Sequence, residues 1–239
     1  MAIRHSSVSK FKYISETSSI ALPLLTTACS STHHHHPHTH PTHPTHPLHP
    51  PTATMAPINL FDISITEAIR ANASLKAVLE AAKAHAPSPD VANTYPALRL
   101  TEDMLGLDFQ IKMVTNTSKR LIERLAPQKA SGLPDWDADE LKTLDDLIAR
   151  VDRSKALLED VKPEDVEGVD EKIIECGMGP KETAMLEAKG YVLGYAVPNL
   201  FFHLTTAYAI LRKEGVPLGK RTFLNDFMGP VVKELIKKE

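Results

Sequence analysis

Apolar residues recur every three and four positions through most of the chain after Met55, which is the signature of amphipathic helices. The first helix is expected from about Thr66 to Ala84, where Ile65, Ala68, Ile69, Leu75, Leu79 and Ala82 form one stripe with Asn72 as the single polar intruder. Pro87 and Pro89 stop it and open an irregular connection through Asn93, Tyr95 and Pro96. A second helix is expected after Thr101, whose hydroxyl suits an N-cap, with Glu102 and Asp103 in the first turn. Its seam runs Met104, Leu107, Ile111, Val114, Ser118, Leu121 and Leu125. Pro127, Gly132 and Pro134 end that run. Asp137 to Asp139 then offer caps for a third helix, with a seam of Leu141, Leu144, Ile148, Val151 and Leu158 and an acidic outer face.

The period changes between Lys162 and Lys189. Lys172-Ile173-Ile174-Glu175 and Thr183-Ala184-Met185-Leu186 flank Gly177, Gly179 and Pro180, which predicts a short hairpin. The fourth helix, from about Lys189 to Arg212, is the most apolar segment and is apolar on more than one face, so it is expected to lie centrally. Pro198, about three turns in, should remove one hydrogen bond and kink it, and Gly215 should cap its end. A basic elbow at Lys220-Arg221 and a short amphipathic tail from Val231 to Lys238 complete the chain. Four helices with modest connections predict an all-α fold, an antiparallel up-down four-helix bundle over residues 55–239 with a hairpin before the fourth helix.

Residues 1–54 follow another pattern. Ten of the twelve histidines precede Met55, nine of them between His33 and His49. His-Pro-Thr recurs from His40 through His43, His46 and His49, a spacing that fits a polyproline II helix with all four imidazoles on one side. Neighbouring imidazoles would then lie about 9 Å apart along the axis, too far for two to sit about 2.1 Å from one zinc ion. The segment therefore reads as a disordered His/Pro/Thr-rich extension. Upstream of it, Arg4, Lys10 and Lys12 among many Ser and Thr give a transit-peptide composition, although Pro23 interrupts the one apolar stretch. Two origins stay open: Met55 as the true start, or a mitochondrial transit segment.

Charge and cysteine content narrow the function classes. The chain carries 27 Lys and Arg against 30 Asp and Glu; with three bases and one acid before Met55, the bundle region is net −5. That balance opposes nucleic acid as the main partner. The longest apolar run falls short of the roughly 18 to 20 residues a spanning helix needs, so a membrane role is not expected. Cys29 and Cys176 fall one in each part, leaving no internal disulfide for the bundle, which fits a reducing, cytoplasmic setting.

The run Gly194-Tyr-Ala-Val-Pro-Asn-Leu-Phe-Phe-His203-Leu-Thr-Thr-Ala-Tyr-Ala-Ile-Leu-Arg212, followed by Gly215-Val216 and Gly219-Lys-Arg-Thr-Phe-Leu224, resembles the signature of domain-of-unknown-function family 1993. Leu98-Arg99-Leu100, Asp103-Met104 and Gln110 resemble the family's entry into its second helix, and the likeness extends from about Phe61 to Leu224. Thr222 and Asn225 depart from the pattern where an acid and a glycine are expected. The family is similar to the DinB and YfiT-like bundles, and the resemblance implies an up-down four-helix fold that commonly forms a dimer. The metal sites of that wider group use two histidines four residues apart on a late helix. Here the positions four before and four after His203 are Asn199 and Ala207, so no three-histidine site carries over.

What remains is a polar stripe. Asn199, His203 and Thr206 share one side of an otherwise apolar helix, and Asp103 and Gln110 lie two turns apart on a flank of the second helix seam. Facing each other, these residues would line a small-molecule pocket between helices two and four. Two other readings compete with it. His203 is a buried structural histidine held by neighbours such as Asn199 or Asp103, or it belongs to a degenerate metal site. Ser118 and Cys176 each stand alone, with no base spaced to activate them. Two function classes stay open on these residues: a ligand-binding or enzymatic bundle of unknown cofactor, and a non-catalytic homodimeric interaction module.

Overall fold

A computed structural model describes residues 58–136, 139–177, 179 and 181–236; the expected extension over residues 1–54 lies outside these described residues. Five principal helices and one hairpin carry the fold: α1 Glu67–His85, α2 Leu107–Leu125, α3 Leu144–Glu159, β1 Ile173–Gly177, β2 Thr183–Glu187, α4 Val197–Lys213 and α5 Lys220–Met228. Helices α1 to α4 form a four-helix bundle in which α1 packs on α3, α3 on α2, α2 on α4 and α4 on α1. The buried positions of each helix follow the expected stripes, including Ala68, Leu75 and Leu79 on α1 and Ile111, Val114, Leu121 and Leu125 on α2.

Cross-helix bonds give the directions. Lys76–Asp152 at 2.8 Å and Lys83–Asp145 at 2.5 Å set α1 antiparallel to α3. Gln110 meets His203 and Thr117 meets Asn199, which sets α2 antiparallel to α4. Helices α2 and α3 run the same way, since Lys129 pairs with Asp160 and Gln128 with Asp165, tying their C-terminal ends together. The connection 126–143 therefore returns along the bundle. Arg150, fully buried on α3, anchors that return: its guanidinium donates to Thr115 Oγ1 (2.8 Å), Asn116 Oδ1 (2.8 Å), the Trp136 carbonyl (3.0 Å) and Asp139 Oδ2 (3.1 Å). It also lies 4.8 Å from the centre of the Trp136 ring.

Several boundaries differ from the sequence expectation, each for a local reason. Helix α2 begins at Leu107 with Gly106 as its N-cap, not after Thr101, because the Thr101 hydroxyl bonds the Asp103 carboxylate and holds those residues in a turn. A side chain on Gly106 would stand 3.0 Å from the Pro96 carbonyl, so the chain passes too close for any other residue to sit there unmoved. Helix α3 begins at Leu144 under a capping box in which Thr143 and Asp146 bond each other's backbone amides. The expected hairpin forms, pairing Ile174 with Leu186 and Cys176 with Ala184, with Ile174 and Cys176 turned inward.

A π-helical turn at Val192–Ala196 lies immediately before Pro198, where a kink was expected. There the Val197 amide reaches back five residues to Val192, and the widened turn accommodates a ring that has no amide to offer. A second π turn at Asp62–Thr66 precedes α1, and the two turns pack together at one end of the bundle. Gly215 ends α4 as expected, with φ of 86° and the Val216 amide bonded to the Leu211 carbonyl. Two further expectations are corrected. The basic elbow is the start of a full helix, α5, which packs on α1 with the Ser74 hydroxyl donating to the Phe223 carbonyl at 2.9 Å. The amphipathic stretch from Val231 is not an α-helix over its described part: a short 3-10 turn ends at Val231 and residues 232–236 are irregular.

Candidate functional site

The α2/α4 seam holds three of the five residues singled out from the sequence, Gln110, Asn199 and His203. His203 is 7% exposed, and its Nδ1 lies 2.7 Å from Gln110 Oε1. An amide oxygen only accepts, so the imidazole carries its proton on Nδ1 and donates it. The Gln110 Nε2 donates in turn to the Leu105 carbonyl at 3.1 Å, which fixes the amide orientation and hence the tautomer. One helical turn earlier on α4, Asn199 Nδ2 donates to Thr117 Oγ1 at 2.9 Å. Thr206 turns back to its own helix and donates to the Phe202 carbonyl at 2.7 Å. Burial without a charged neighbour lowers the His203 pKa from 6.5 to about 4, so the ring is neutral around pH 7.

Asp103 does not join this group. It is exposed in the turn before α2, its carboxylate held by the Thr101 hydroxyl, which also lowers its pKa. The reading that made it a neighbour of His203 assumed a helix already formed at Thr101, and that helix starts later. Thr117 was missed, although it falls seven residues after Gln110 and so on the same flank of α2. The aromatic surround was missed as well. The Phe109 ring stands edge-on to His203 at 6.0 Å and the Phe202 ring at 5.1 Å.

The seam has the chemistry of a closed polar ladder. Every side chain in it that sequence reasoning placed in a pocket, apart from Asp103, is bonded to another seam residue or to backbone. The Nε2 of His203 keeps a lone pair without a protein partner among the described residues. Among the described residues no three His, Cys, Asp or Glu side chains stand close enough to share a metal ion. Cavities among the described residues lie elsewhere, one of about 740 Å³ between α5 and the segment after it and another of about 400 Å³ beside Asn59 and Glu167. No helix among the described residues is long and apolar enough to cross a membrane.

Comparison with known proteins agrees with this architecture. A crystal structure of a DinB family member protein from Shewanella denitrificans superposes with a TM-score of 0.61 at 29% identity, covering 69% of this chain and 91% of that one. No curated protein matches the chain. The family described as Domain of unknown function (DUF1993) matches residues 60–224, the span from the entry of α1 to the middle of α5, and the chain therefore belongs to the DUF1993 family.

Proposed function

We propose that this protein is a non-catalytic interaction module that works as a homodimer, with the α2/α4 polar ladder fixing the register of its helices. One observation carries the reading: Gln110, Thr117, Asn199, Thr206 and the Nδ1 of His203 are hydrogen-bonded to one another or to backbone, which leaves the Nε2 of His203 as the one ring nitrogen unused. Buried polar groups that are satisfied in this way specify how two helices slide and rotate against each other. A catalytic set would instead leave groups aimed at a reacting atom and a nucleophile within reach of its base. Ser118 on α2 donates to the Val114 carbonyl and accepts from Asn72, so it too is committed to the core.

A second reading rests on the free Nε2 of His203, set between Phe109 and Phe202. A small aromatic or thiol ligand would find an acceptor there flanked by two rings. A thermal-shift series with thiols and divalent metals separates the two, because a ligand specific to the folded state raises its stability by mass action. The module reading expects no shift from any of them. A concentration-dependent rise that His203→Ala abolishes would instead establish a ligand site on the seam.

A further inference from the structure

Helix α5 has apolar residues on two sides, and only one side packs on the bundle. Phe223 and Phe227 stack 5.9 Å apart and meet Tyr208 and Phe201 of α4 at 6.0 and 5.5 Å between ring centres. Lys220, Leu224 and Met228 fall four residues apart and so form a row along a different side, with Arg221 beside it. All four line the cavity of about 740 Å³. After Met228 the chain turns through Gly229–Val231, with the Val232 amide bonded to the Met228 carbonyl at 3.0 Å, and residues 232–235 supply the facing wall.

The groove joins apolar surface to unspent positive charge. Leu224, Met228, Val232 and Leu235 line it together with three cations, Lys220, Arg221 and Lys233, against one carboxylate, Glu234. None of the three cations forms an ion pair among the described residues, whereas bundle lysines such as Lys76, Lys119 and Lys129 face acids. The placement runs against the rest of the protein: residues 55–218 hold 19 bases and 26 acids, and residues 219–239 hold 5 bases and 3 acids. Met228 and Leu235 are 51% and 84% exposed, so no part of the described chain covers this apolar surface. Met228, Val232, Lys233 and Leu235 also lie beyond the span that the DUF1993 family matches, which makes the groove a feature of this chain.

We propose that this groove binds an anionic amphiphile, an aliphatic chain ending in a negatively charged head, with the chain against Leu224, Met228, Val232 and Leu235 and the head on Lys220 and Arg221. The proposal does not depend on the homodimer reading. Size favours a small molecule, since about 740 Å³ falls within the roughly 300 to 1,000 Å³ of such sites. Polarity follows the helix: from Lys220 to Met228 the row runs about 12 Å from a basic to an apolar end. An inorganic anion would leave the apolar wall wet, and a neutral hydrocarbon would leave the cations unpaired. The chain's own N-terminal segment is opposed by charge, because residues 1–54 carry three bases and ten histidines against one acid. The same chemistry is offered by a free fatty acid and by an anionic lipid in a bilayer.

The test is isothermal titration calorimetry of the full chain with decanoate, decanol and acetate, at about pH 8 where the histidines are neutral. Decanoate is expected to bind, decanol to bind roughly tenfold more weakly, and acetate not to bind. The double variant Lys220→Ala, Arg221→Ala should weaken decanoate about tenfold and leave decanol unchanged, whereas Met228→Asp should abolish both by setting a carboxylate against the chain. All three positions are exposed, so circular dichroism should match wild type. Flotation with phosphatidylglycerol or phosphatidylcholine vesicles identifies the source. Association with the phosphatidylglycerol vesicles alone, competed away by decanoate, makes a bilayer lipid the ligand; decanoate binding without vesicle association makes it a free acid. A wild type that takes up no decanoate overturns the proposal, and so does decanoate binding that survives both the double variant and Met228→Asp.

Discussion

Acidification should weaken this fold through His203. In the folded chain the ring is 7% exposed, donates from Nδ1 to Gln110 Oε1, and has its pKa lowered by burial from 6.5 to about 4. The unfolded chain takes up the proton near pH 6.5 and the folded chain does not until about pH 4, so across that window the unfolded state binds more protons. Stability is therefore fully present above about pH 6.5 and falls as pH falls, by about 1.4 kcal/mol per unit. The total comes to about 3 kcal/mol at the acid end. Asp146, whose pKa is lowered chiefly by the Thr143 hydroxyl, gives up its contribution only below the ordinary carboxylate range near 3.8, outside this window. Urea denaturation of wild type and His203→Gln, followed by circular dichroism from around pH 7 to around pH 4.5, isolates the effect. The other histidines are common to both chains and cancel in the difference. Wild type should lose about 2 to 3 kcal/mol relative to the variant over this range. Parallel stability curves for the two proteins would refute the reasoning, since they would mean that His203 titrates alike in the folded and unfolded chains.

Three substitutions test the supporting structure. Arg150→Leu removes a fully buried guanidinium and strands its acceptors on Thr115, Asn116 and Trp136, so denaturation should show a loss of about 3 to 5 kcal/mol; a loss below about 1 kcal/mol would show that the return segment is not anchored there. Thr143→Ala deletes the hydroxyl half of the α3 capping box and should cost about 1 kcal/mol in the same assay, with no loss contradicting the cap. Pro198→Ala should gain far less than the roughly 3 kcal/mol that proline costs inside a regular helix, because the π turn at Val192–Ala196 already accommodates the ring; a gain of that full size in melting experiments would count against the accommodation.

How far the sequence reveals this fold depends on whether each signal is local. The stripes of α1, α2 and α4, the hairpin and the Gly215 cap were all legible, since each depends only on neighbours along the chain. Helix starts were less so. Thr101 and Thr143 are both plausible caps, and what separates them is that the Thr101 hydroxyl is taken by Asp103 while Thr143 meets Asp146 three residues on. Helix α5 was legible but overlooked: Phe223, Leu224, Phe227 and Met228 carry a helical spacing that the adjacent Lys220-Arg221 obscured. The return path from α2 to α3 has no local signature, because it depends on Arg150 reaching Trp136 and Asp139 across the bundle. At the seam, the stripe of Asn199, His203 and Thr206 was visible in the spacing. The pairing of His203 with Gln110 depends on how two helices 93 residues apart cross, and no spacing within either helix encodes that.

The account stands on the claim that the α2/α4 polar groups serve each other, and a double-mutant cycle on Gln110 and His203 measures this most directly. Gln110→Ala, His203→Ala and the double variant, each denatured in urea around pH 7, yield the coupling free energy between the two side chains. A buried hydrogen bond of 2.7 Å within a two-step relay predicts a coupling of about 1 kcal/mol or more, with each single variant destabilised. Strictly additive effects, or single variants as stable as wild type, would contradict the account and show that these residues are held for something other than each other.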